Sequence, residues 1–195
     1  MSADATLQQL TSFFLNAVNS LSDAAFTEPT ALPGWTRAHV IAHVHSNAGA
    51  LRRLARWART GNESRMYASP AQRSEEIDSG ARLEPGNLRA LVQESAAALA
   101  DDLAGLTTAQ LTNTVITAQG RSITAAEIPW LRCREVGVHA VDLDAGVTFA
   151  DLPDEFLTPL VQDVIMKRTG NGELAGIAAW LTGRARTGVT IGAWL

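Results

Sequence analysis

Apolar residues recur at helical spacing in four long segments, and this pattern constrains the fold more than any other feature of the sequence. In residues 4–22 the apolar positions lie three or four residues apart, at Leu7, Leu10, Phe14, Val18 and Leu21. This spacing places one apolar stripe on one face of a helix. Comparable segments cover residues 36–59, 87–105 and 125–144. The sequence therefore predicts a mainly α protein in which long helices pack their apolar faces together as a bundle.

Shorter elements are expected between and after these helices. Residues 114–124 read as a small β-hairpin, because two β-branched stretches flank Ala-Gln-Gly. Residues 62–86 are polar and contain several prolines and glycines, so they are expected to be mainly a long loop, with a short helix around 70–79. Two further helices are expected at 153–169 and 173–182.

The composition excludes several classes of protein. With 195 residues and 46% hydrophobic content, the chain suits one folded domain with a small appendage. The net charge is −4 and no basic run occurs, which argues against a nucleic-acid partner. No segment approaches the ~18 apolar residues of a membrane span, and the start does not resemble a signal peptide. With a single cysteine, Cys133, no internal disulfide forms, and these features together favour a cytoplasmic protein.

Two ionisable residues in the fourth predicted helix face the apolar side. A helix advances by about 100° per residue, so with Glu135 at zero, His139 lies at about 40° and the apolar Leu131 at about −40°. Asp142 joins the same face at about −20°. Cys133 falls near 160° and points elsewhere. Glu135 and His139 are therefore expected to point toward the interior of the bundle.

The second predicted helix separates two histidines that look alike in the sequence. With His43 at zero, Asn47 lies at about 40° among apolar residues, and His39 lies at the border of that face at about −40°. His45 lies at about 200° and is expected to be a solvated surface residue. His43 is thus the histidine directed inward.

The inward residues His43, Glu135 and His139 form a suitable donor set for zinc or another divalent ion. Two imidazoles and one carboxylate leave a coordination position open for water or a substrate, as in catalytic zinc sites. A hydrogen-bonded core network built from a Glu–His pair explains the same pattern without a metal. A rival metal set joins His39 and His43, one turn apart, with Glu135 from the partner helix.

Two extended motifs carry a resemblance to a known family. The chain contains G-W-T-R-x-H-x-x-x-H and, later, R-E-V-x-x-H-x-V-D-L, with further matching segments across most of residues 30–155. In this combination the sequence resembles the mycothiol-dependent maleylpyruvate isomerases of the DinB-like metalloenzyme superfamily. The resemblance implies a DinB-like four-helix bundle. It also implies zinc ligation by His43, Glu135 and His139, the same three residues that helical phase directs inward.

The resemblance further implies an activity. Members of the family convert maleylpyruvate to fumarylpyruvate in gentisate breakdown, with mycothiol as thiol cofactor. The implied partners are therefore mycothiol and a small dicarboxylate substrate, with no nucleic acid or membrane, for a monomer or small homo-oligomer. Two other functions use the same residues. One is a mycothiol-dependent S-transferase for another electrophile, and the other is a non-catalytic metal- or thiol-binding module.

Further site residues follow from the resemblance and from residue chemistry. Arg184 matches an arginine implicated in catalysis in the family, and it also suits a helix end by offsetting the dipole. Arg121, Asn47 and Tyr67 are expected to contact the cofactor or substrate, although Asn47 equally suits a core network. Asp142 is expected to orient a ligating histidine.

The C-terminal part departs from the family pattern. Residues 1–150 are expected to form the metal-binding bundle, and residues 151–195 a shortened remnant of the family's α/β C-terminal domain. The shortened segment is expected to expose apolar side chains at Trp180, Leu181 and Trp194.

Overall fold

The computed structural model describes residues 3–170 and 173–184, and most of them are helical. The helices are α1 (Ala3–Ser20), α2 (Arg37–Thr60), α3 (Pro70–Ala81), α4 (Pro85–Ala104), α5 (Thr108–Leu111), α6 (Ile128–Asp142), α7 (Asp154–Gly170) and α8 (Leu174–Leu181). An antiparallel hairpin, β1 (Thr114–Ile116) and β2 (Ser122–Thr124), precedes α6. The chain divides into two compact units, Met1–Asp151 and Leu152–Leu195.

The four long helices of the first unit close into a ring. Helix α1 packs on α6, α6 on α2, α2 on α4, and α4 on α1, while α3 packs on α2. Of the residues that spacing predicted to face inward on α1, Leu10, Phe14 and Val18 are at most 1% exposed, and Leu7 is partly buried. The predicted four-helix bundle with a small hairpin is therefore confirmed, because each long helix buries one apolar face against two neighbours.

Arg37 ties the beginning of α2 to the end of α6. Its Nε donates to the carbonyl of Leu143 at 2.6 Å and its Nη2 to the carbonyl of Asp144 at 3.0 Å. Its Nη1 pairs with Glu28. The last carbonyls of a helix have no partner within the helix, so an arginine donor satisfies them. The two helices that carry the histidines and Glu135 are thus fixed at this end of the bundle.

Residues 62–86 are not mainly a loop, and that prediction is wrong. The short helix expected around 70–79 is present as α3, which occupies twelve of these residues, and α4 already begins at Pro85. Ser69 caps α3 by accepting from the backbone N–H of Gln72 at 3.1 Å, and Pro70 occupies the first turn, where its missing N–H costs nothing. The prediction of α6 from residue 125 also started too early, because residues 125–127 form a 3-10 turn.

Gly80 allows α3 to lie close against α2. A Cβ placed on Gly80 would approach the Cβ of Ala42 to 2.8 Å, below normal van der Waals contact. The Ala42 methyl is attached directly to the backbone and has no rotamer by which to move away. The position of α3 over α2 therefore depends on a glycine at this point.

The second unit contains α7 and α8, and all regular structure in its described part is helical. Asp154 and Glu155 lie in the first turn of α7 and Lys167 in the last, the arrangement that the helix dipole favours. The side chain of Trp180 is exposed, as predicted; Trp194 lies outside the described residues. The interpretation of residues 151–195 as a remnant of an α/β domain stays a prediction. Among the described helices, none has the length and apolar character to cross a membrane.

Replacing Gly80 by alanine is expected to lower the free energy of unfolding by about 1–2 kcal/mol, because the added methyl overlaps Ala42. Gly86 is the control, since a Cβ there meets nothing within 4 Å. Gly86→Ala is expected to be neutral or stabilising by up to about 1 kcal/mol, since alanine favours the helix. Denaturant unfolding of both variants measures the difference. Equal stability of the two variants would contradict the close packing of α3 on α2.

Candidate metal centre

His43 of α2 meets Glu135 and His139 of α6 inside the bundle. The Nε2 of His43 lies 2.9 Å from the Oε2 of Glu135, and the Nε2 of His139 lies 3.6 Å from the same oxygen. The two imidazole rings are perpendicular, with centroids 4.9 Å apart. Helical phase directed these three side chains inward, and the antiparallel packing of α2 and α6 brings them to one point.

Each histidine of this group has a further neighbour that fixes its ring. The Nδ1 of His139 donates to the Oδ2 of Asp142 at 2.8 Å, which leaves Nε2 directed at Glu135. Asp142 was expected to orient a histidine, and its position suits that role. Trp35 contacts the ring of His43 edge-on, with centroids 5.4 Å apart. This tryptophan belongs to the first motif but was not considered as part of the site.

Burial and pairing compete in setting the charges of the group. Burial on its own would raise the pKa of Glu135, but hydrogen bonds from His139 and His43 hold it well below the usual range. Burial would lower the pKa of His139, yet its hydrogen bonds to Asp142 and Glu135 outweigh this effect and raise the pKa to about 9. For His43 burial prevails, and the pKa is lowered despite the bond to Glu135. Without a metal, a carboxylate and a protonated His139 thus form the charged core of the group.

The group fits a divalent metal ion. One ligand atom from each of the three side chains lies within 4.8 Å of the others. Ligands bonded to zinc at about 2.0–2.1 Å in a tetrahedron lie about 3.4 Å apart. The observed separations of 2.9 and 3.6 Å bracket that value. Two nitrogens and one carboxylate oxygen are a donor set that zinc accepts, and a fourth position stays free for an exogenous ligand.

The other histidines and the cysteine lie outside this group. The Nδ1 of His39 accepts from the backbone N–H of Thr36 at 3.2 Å, so His39 caps α2 and the rival metal set is not assembled. The prediction that His45 is a solvated surface residue is wrong. Helix α4 packs on the face of α2 that points away from Glu135, so His45 is partly buried. Its Nδ1 lies 3.1 Å from the carbonyl of Leu91. Cys133 is buried, and burial raises the pKa of its thiol to about 12.

Arg132, which sequence reasoning missed, crosses from α6 to α2 beside the group. Its side chain is 2% exposed, and its Nη1 donates to the carbonyl of Val44 at 2.7 Å and to the Oδ1 of Asn47 at 3.0 Å. Burial lowers the pKa of Arg132 to about 10, so it stays charged, and the nearby Glu135 supports that charge. Asn47 thus takes part in a core network. Helical phase places Arg132 at about 60° from Glu135, so this signal was available.

The remaining predicted site residues are spread over the structure. Tyr67 is partly buried, and burial raises the pKa of its phenol. The guanidinium of Arg53 lies 5.8 Å from the centre of its ring. Arg121 is exposed on the hairpin and binds Glu127 at 3.1 Å. Arg184 is exposed in the second unit and donates to the carbonyl of Thr182. The roles assigned to these residues stay predictions.

Fold and site together define the class of the protein: a four-helix bundle with a candidate metal centre between two of its helices. The family model described as the mycothiol maleylpyruvate isomerase N-terminal domain matches residues 7–144. The chain belongs to this family, as its two motifs predicted.

Solved structures agree with this assignment. A crystal structure of the mycothiol-dependent maleylpyruvate isomerase is 41% identical in sequence and has a TM-score of 0.82. The match covers 84% of this chain and 68% of that chain. A mutant of that isomerase, with a histidine replaced by alanine, is 40% identical, with a TM-score of 0.81 and the same coverage of 84% and 68%. YfiT from Bacillus subtilis, a probable metal-dependent hydrolase with an unusual four-helix bundle topology, is 19% identical, with a TM-score of 0.57 over 73% of this chain and 83% of that chain. This last likeness concerns the fold alone. The comparison with curated proteins found no match.

His43→Ala is expected to lower zinc affinity by about 100-fold or more, because it removes a ligand where losing even a neighbouring hydrogen bond costs about 10- to 100-fold. His45→Ala is the matched control on the same helix and is expected to leave zinc affinity unchanged. Competitive titration with a zinc chelator measures both. Equal losses in the two variants would contradict the assignment of His43 as the inward ligand.

Zinc binding is expected to release one proton near neutral pH. In the metal-free protein His139 is protonated below its pKa of about 9, whereas a ligating imidazole is neutral. The affinity is therefore expected to rise about tenfold per pH unit between about pH 7 and 9 and then to level off. Asp142→Asn removes a bond that holds the proton and is expected to move this plateau to lower pH. Titration calorimetry in buffers of different ionisation enthalpy counts the protons; zinc binding at pH 7.5 without proton release would refute the charge assignment.

Proposed function

We propose that this chain is a metal- and mycothiol-dependent isomerase that converts maleylpyruvate to fumarylpyruvate. The observation that supports this most is the cluster of His43, which is buried, with Glu135 and His139, which are partly buried, in a chain that belongs to the isomerase family. Three protein ligands leave one position open, which is where an exogenous thiol would be held. The proposed metal is zinc or a similar divalent ion, and the proposed thiol is mycothiol.

The chain's own residues prepare this position before any ligand arrives. His43, Glu135 and His139 would hold a divalent ion, which would supply the charge that lowers the pKa of a neighbouring thiol toward neutral pH. Asp142 holds the ring of His139 with Nε2 directed at Glu135. Arg132 joins α6 to the backbone of α2 next to His43. Trp35 packs edge-on against the His43 ring, with centroids 5.4 Å apart.

The proposed reaction uses the thiolate as a reversible nucleophile. A carbon–carbon double bond conjugated to a carbonyl resists rotation. When the thiolate adds to one alkene carbon, a C–S bond forms and the alkene π electrons move toward the carbonyl as an enolate. The former double bond is then single and turns. Collapse of the enolate re-forms the double bond in the trans geometry and expels the thiolate, so the thiol is regenerated and no redox partner is needed.

The proposed contacts to substrate and cofactor involve four further residues. The phenol of Tyr67 stays protonated at neutral pH, because burial raises its pKa, and it can donate a hydrogen bond at the edge of the site. The Oδ1 of Asn47 accepts from Arg132, so a contact of Asn47 with mycothiol would use its amide N–H groups. Arg121 and Arg184 are proposed as cationic partners of ligand and substrate.

The test is turnover of maleylpyruvate by zinc-loaded protein with and without mycothiol. Turnover is expected only when both are present, with no net consumption of the thiol. His43→Ala is expected to reduce kcat/KM by about 100-fold or more, as expected for loss of the thiol-activating centre, and His45→Ala to preserve it. Consumption of one thiol per product would instead indicate an S-transferase. Binding of zinc and mycothiol without turnover would indicate a non-catalytic module.

A further inference from the structure

A single arginine of α3, Arg73, lies beside the candidate metal centre without a carboxylate partner. Its Nη2 is 3.4 Å from the Nδ1 of His43, and the side chain is partly buried. Among the described residues, most arginines are paired with an acid, namely Arg37, Arg52, Arg53, Arg59, Arg65, Arg89, Arg121 and Arg168. Within the same part of the chain Arg73 has no such pair. The positive charge of Arg73 at the edge of the site is therefore not neutralised by a salt bridge within the described residues, and its guanidinium contacts an imidazole nitrogen.

The position of Arg73 is built into the packing of α3 on α2. The hydroxyl of Ser46 on α2 donates to the Oε2 of Glu76 at 2.5 Å, and the close contact of Gly80 with Ala42 fixes α3 farther along. Glu76, one turn after Arg73, is the nearest acid on the inward side of α3. It also accepts from Gln72 at 3.0 Å and lies 3.7 Å from Arg53, so its charge is already matched. The anchoring groups of α3 therefore do not neutralise Arg73.

The two histidines of the centre have opposite kinds of neighbour at Nδ1. His139 faces an acceptor, the carboxylate of Asp142, at 2.8 Å. His43 faces a donor, the guanidinium of Arg73. When His43 ligates a metal through Nε2, its Nδ1 carries a hydrogen, and two N–H groups then face each other without a hydrogen bond. In that state the guanidinium would have no hydrogen bond to His43, and its donors would be available to another acceptor beside the centre.

We propose that Arg73 binds a carboxylate of the substrate next to the metal centre, and this rests on the proposed isomerase function. Its planar fork of N–H donors matches the two oxygens of a carboxylate, which a lysine ammonium does not. Both the arginine and a thiol at the open position lie beside His43. A dicarboxylate held by Arg73 is thereby placed near the nucleophile, and Arg73 selects for an anionic substrate.

The first test compares Arg73→Gln and Arg73→Lys with Arg82→Gln in zinc-loaded protein. Arg82 is the matched control, because it is an exposed arginine at the end of the same helix, and its side chain donates to the hydroxyl of Ser79. Arg73→Gln is expected to raise the KM for maleylpyruvate by about 10- to 100-fold, the size of one lost charged hydrogen bond. Arg73→Lys is expected to fall between it and the wild type. The KM for mycothiol, the zinc content and the Tm are expected to stay unchanged.

Other outcomes of this kinetic test overturn the proposal. An unchanged KM for maleylpyruvate in Arg73→Gln would show that the arginine does not bind the substrate. A higher KM for mycothiol alone would assign Arg73 to the thiol. Loss of zinc or of thermal stability in both Arg73 variants, with Arg82→Gln unaffected, would make Arg73 a structural support of the centre.

The second test measures binding without turnover, so that it separates this proposal from the proposed function. Maleate, a cis dicarboxylate, is titrated calorimetrically into zinc-loaded protein in the absence of mycothiol. Arg73→Gln is expected to weaken maleate binding by about 10- to 100-fold and Arg82→Gln to leave it unchanged. If the wild type does not turn over maleylpyruvate but this difference appears, the isomerase function fails while the carboxylate site stands. Equal maleate binding by wild type and Arg73→Gln overturns the carboxylate site whatever the activity.

Discussion

The structure depends on one largely inaccessible carboxylate, that of Glu135, which is 13% exposed and is shared by histidines from two helices. An ionised carboxylate inside a protein is very costly unless it is paired and hydrogen-bonded. The pairing requires α2 and α6 to lie antiparallel at a fixed height, and two arginines secure that arrangement. Arg37 holds the end of α6 to the start of α2, and Arg132 reaches from α6 to the backbone of α2 beside the histidine. A divalent ion would relieve the same constraint by replacing the protons that the group now shares.

The two histidines of the group differ in how strongly they hold a proton, and this difference affects metal binding. His139 is backed by Asp142 and holds its proton strongly, with a pKa of about 9, whereas burial lowers the pKa of His43. Metal binding thus competes with a proton mainly at His139. On the other side of the group, the guanidinium of Arg73 lies 3.4 Å from the Nδ1 of His43. The protein therefore supports its candidate metal ligands on one flank and presents positive charge on the other, which suits a centre that receives a thiolate and a dicarboxylate.

Helical periodicity predicted the bundle well, because long helices must bury one face and that face is visible in the spacing of apolar residues. It also separated His43 from His45, since their directions are about 160° apart and so point to nearly opposite sides of the helix. The same reasoning failed where the burial of a helix face depends on which other helix packs against it. His45 points away from Glu135 yet is partly buried, because α4 covers that side of α2. The short helix expected around residues 70–79 is present as α3, but its packing on α2 depends on Gly80 against Ala42 and on Glu76, contacts that no periodicity reveals. The position of Arg73 beside His43 was missed for the same reason.

The central claim is that this centre holds an exogenous thiolate on a metal ion. Replacing the metal with Co²⁺ makes the claim visible, since thiolate ligation adds a sulfur-to-cobalt charge-transfer band to the absorption spectrum. Adding mycothiol to the Co²⁺-loaded wild type is expected to produce that band, and the band is expected to be absent with Glu135→Gln or without mycothiol. The protein's own Cys133 is buried with a thiol pKa of about 12, so a band that depends on added mycothiol reports the cofactor. A cobalt spectrum that mycothiol leaves unchanged would contradict the account.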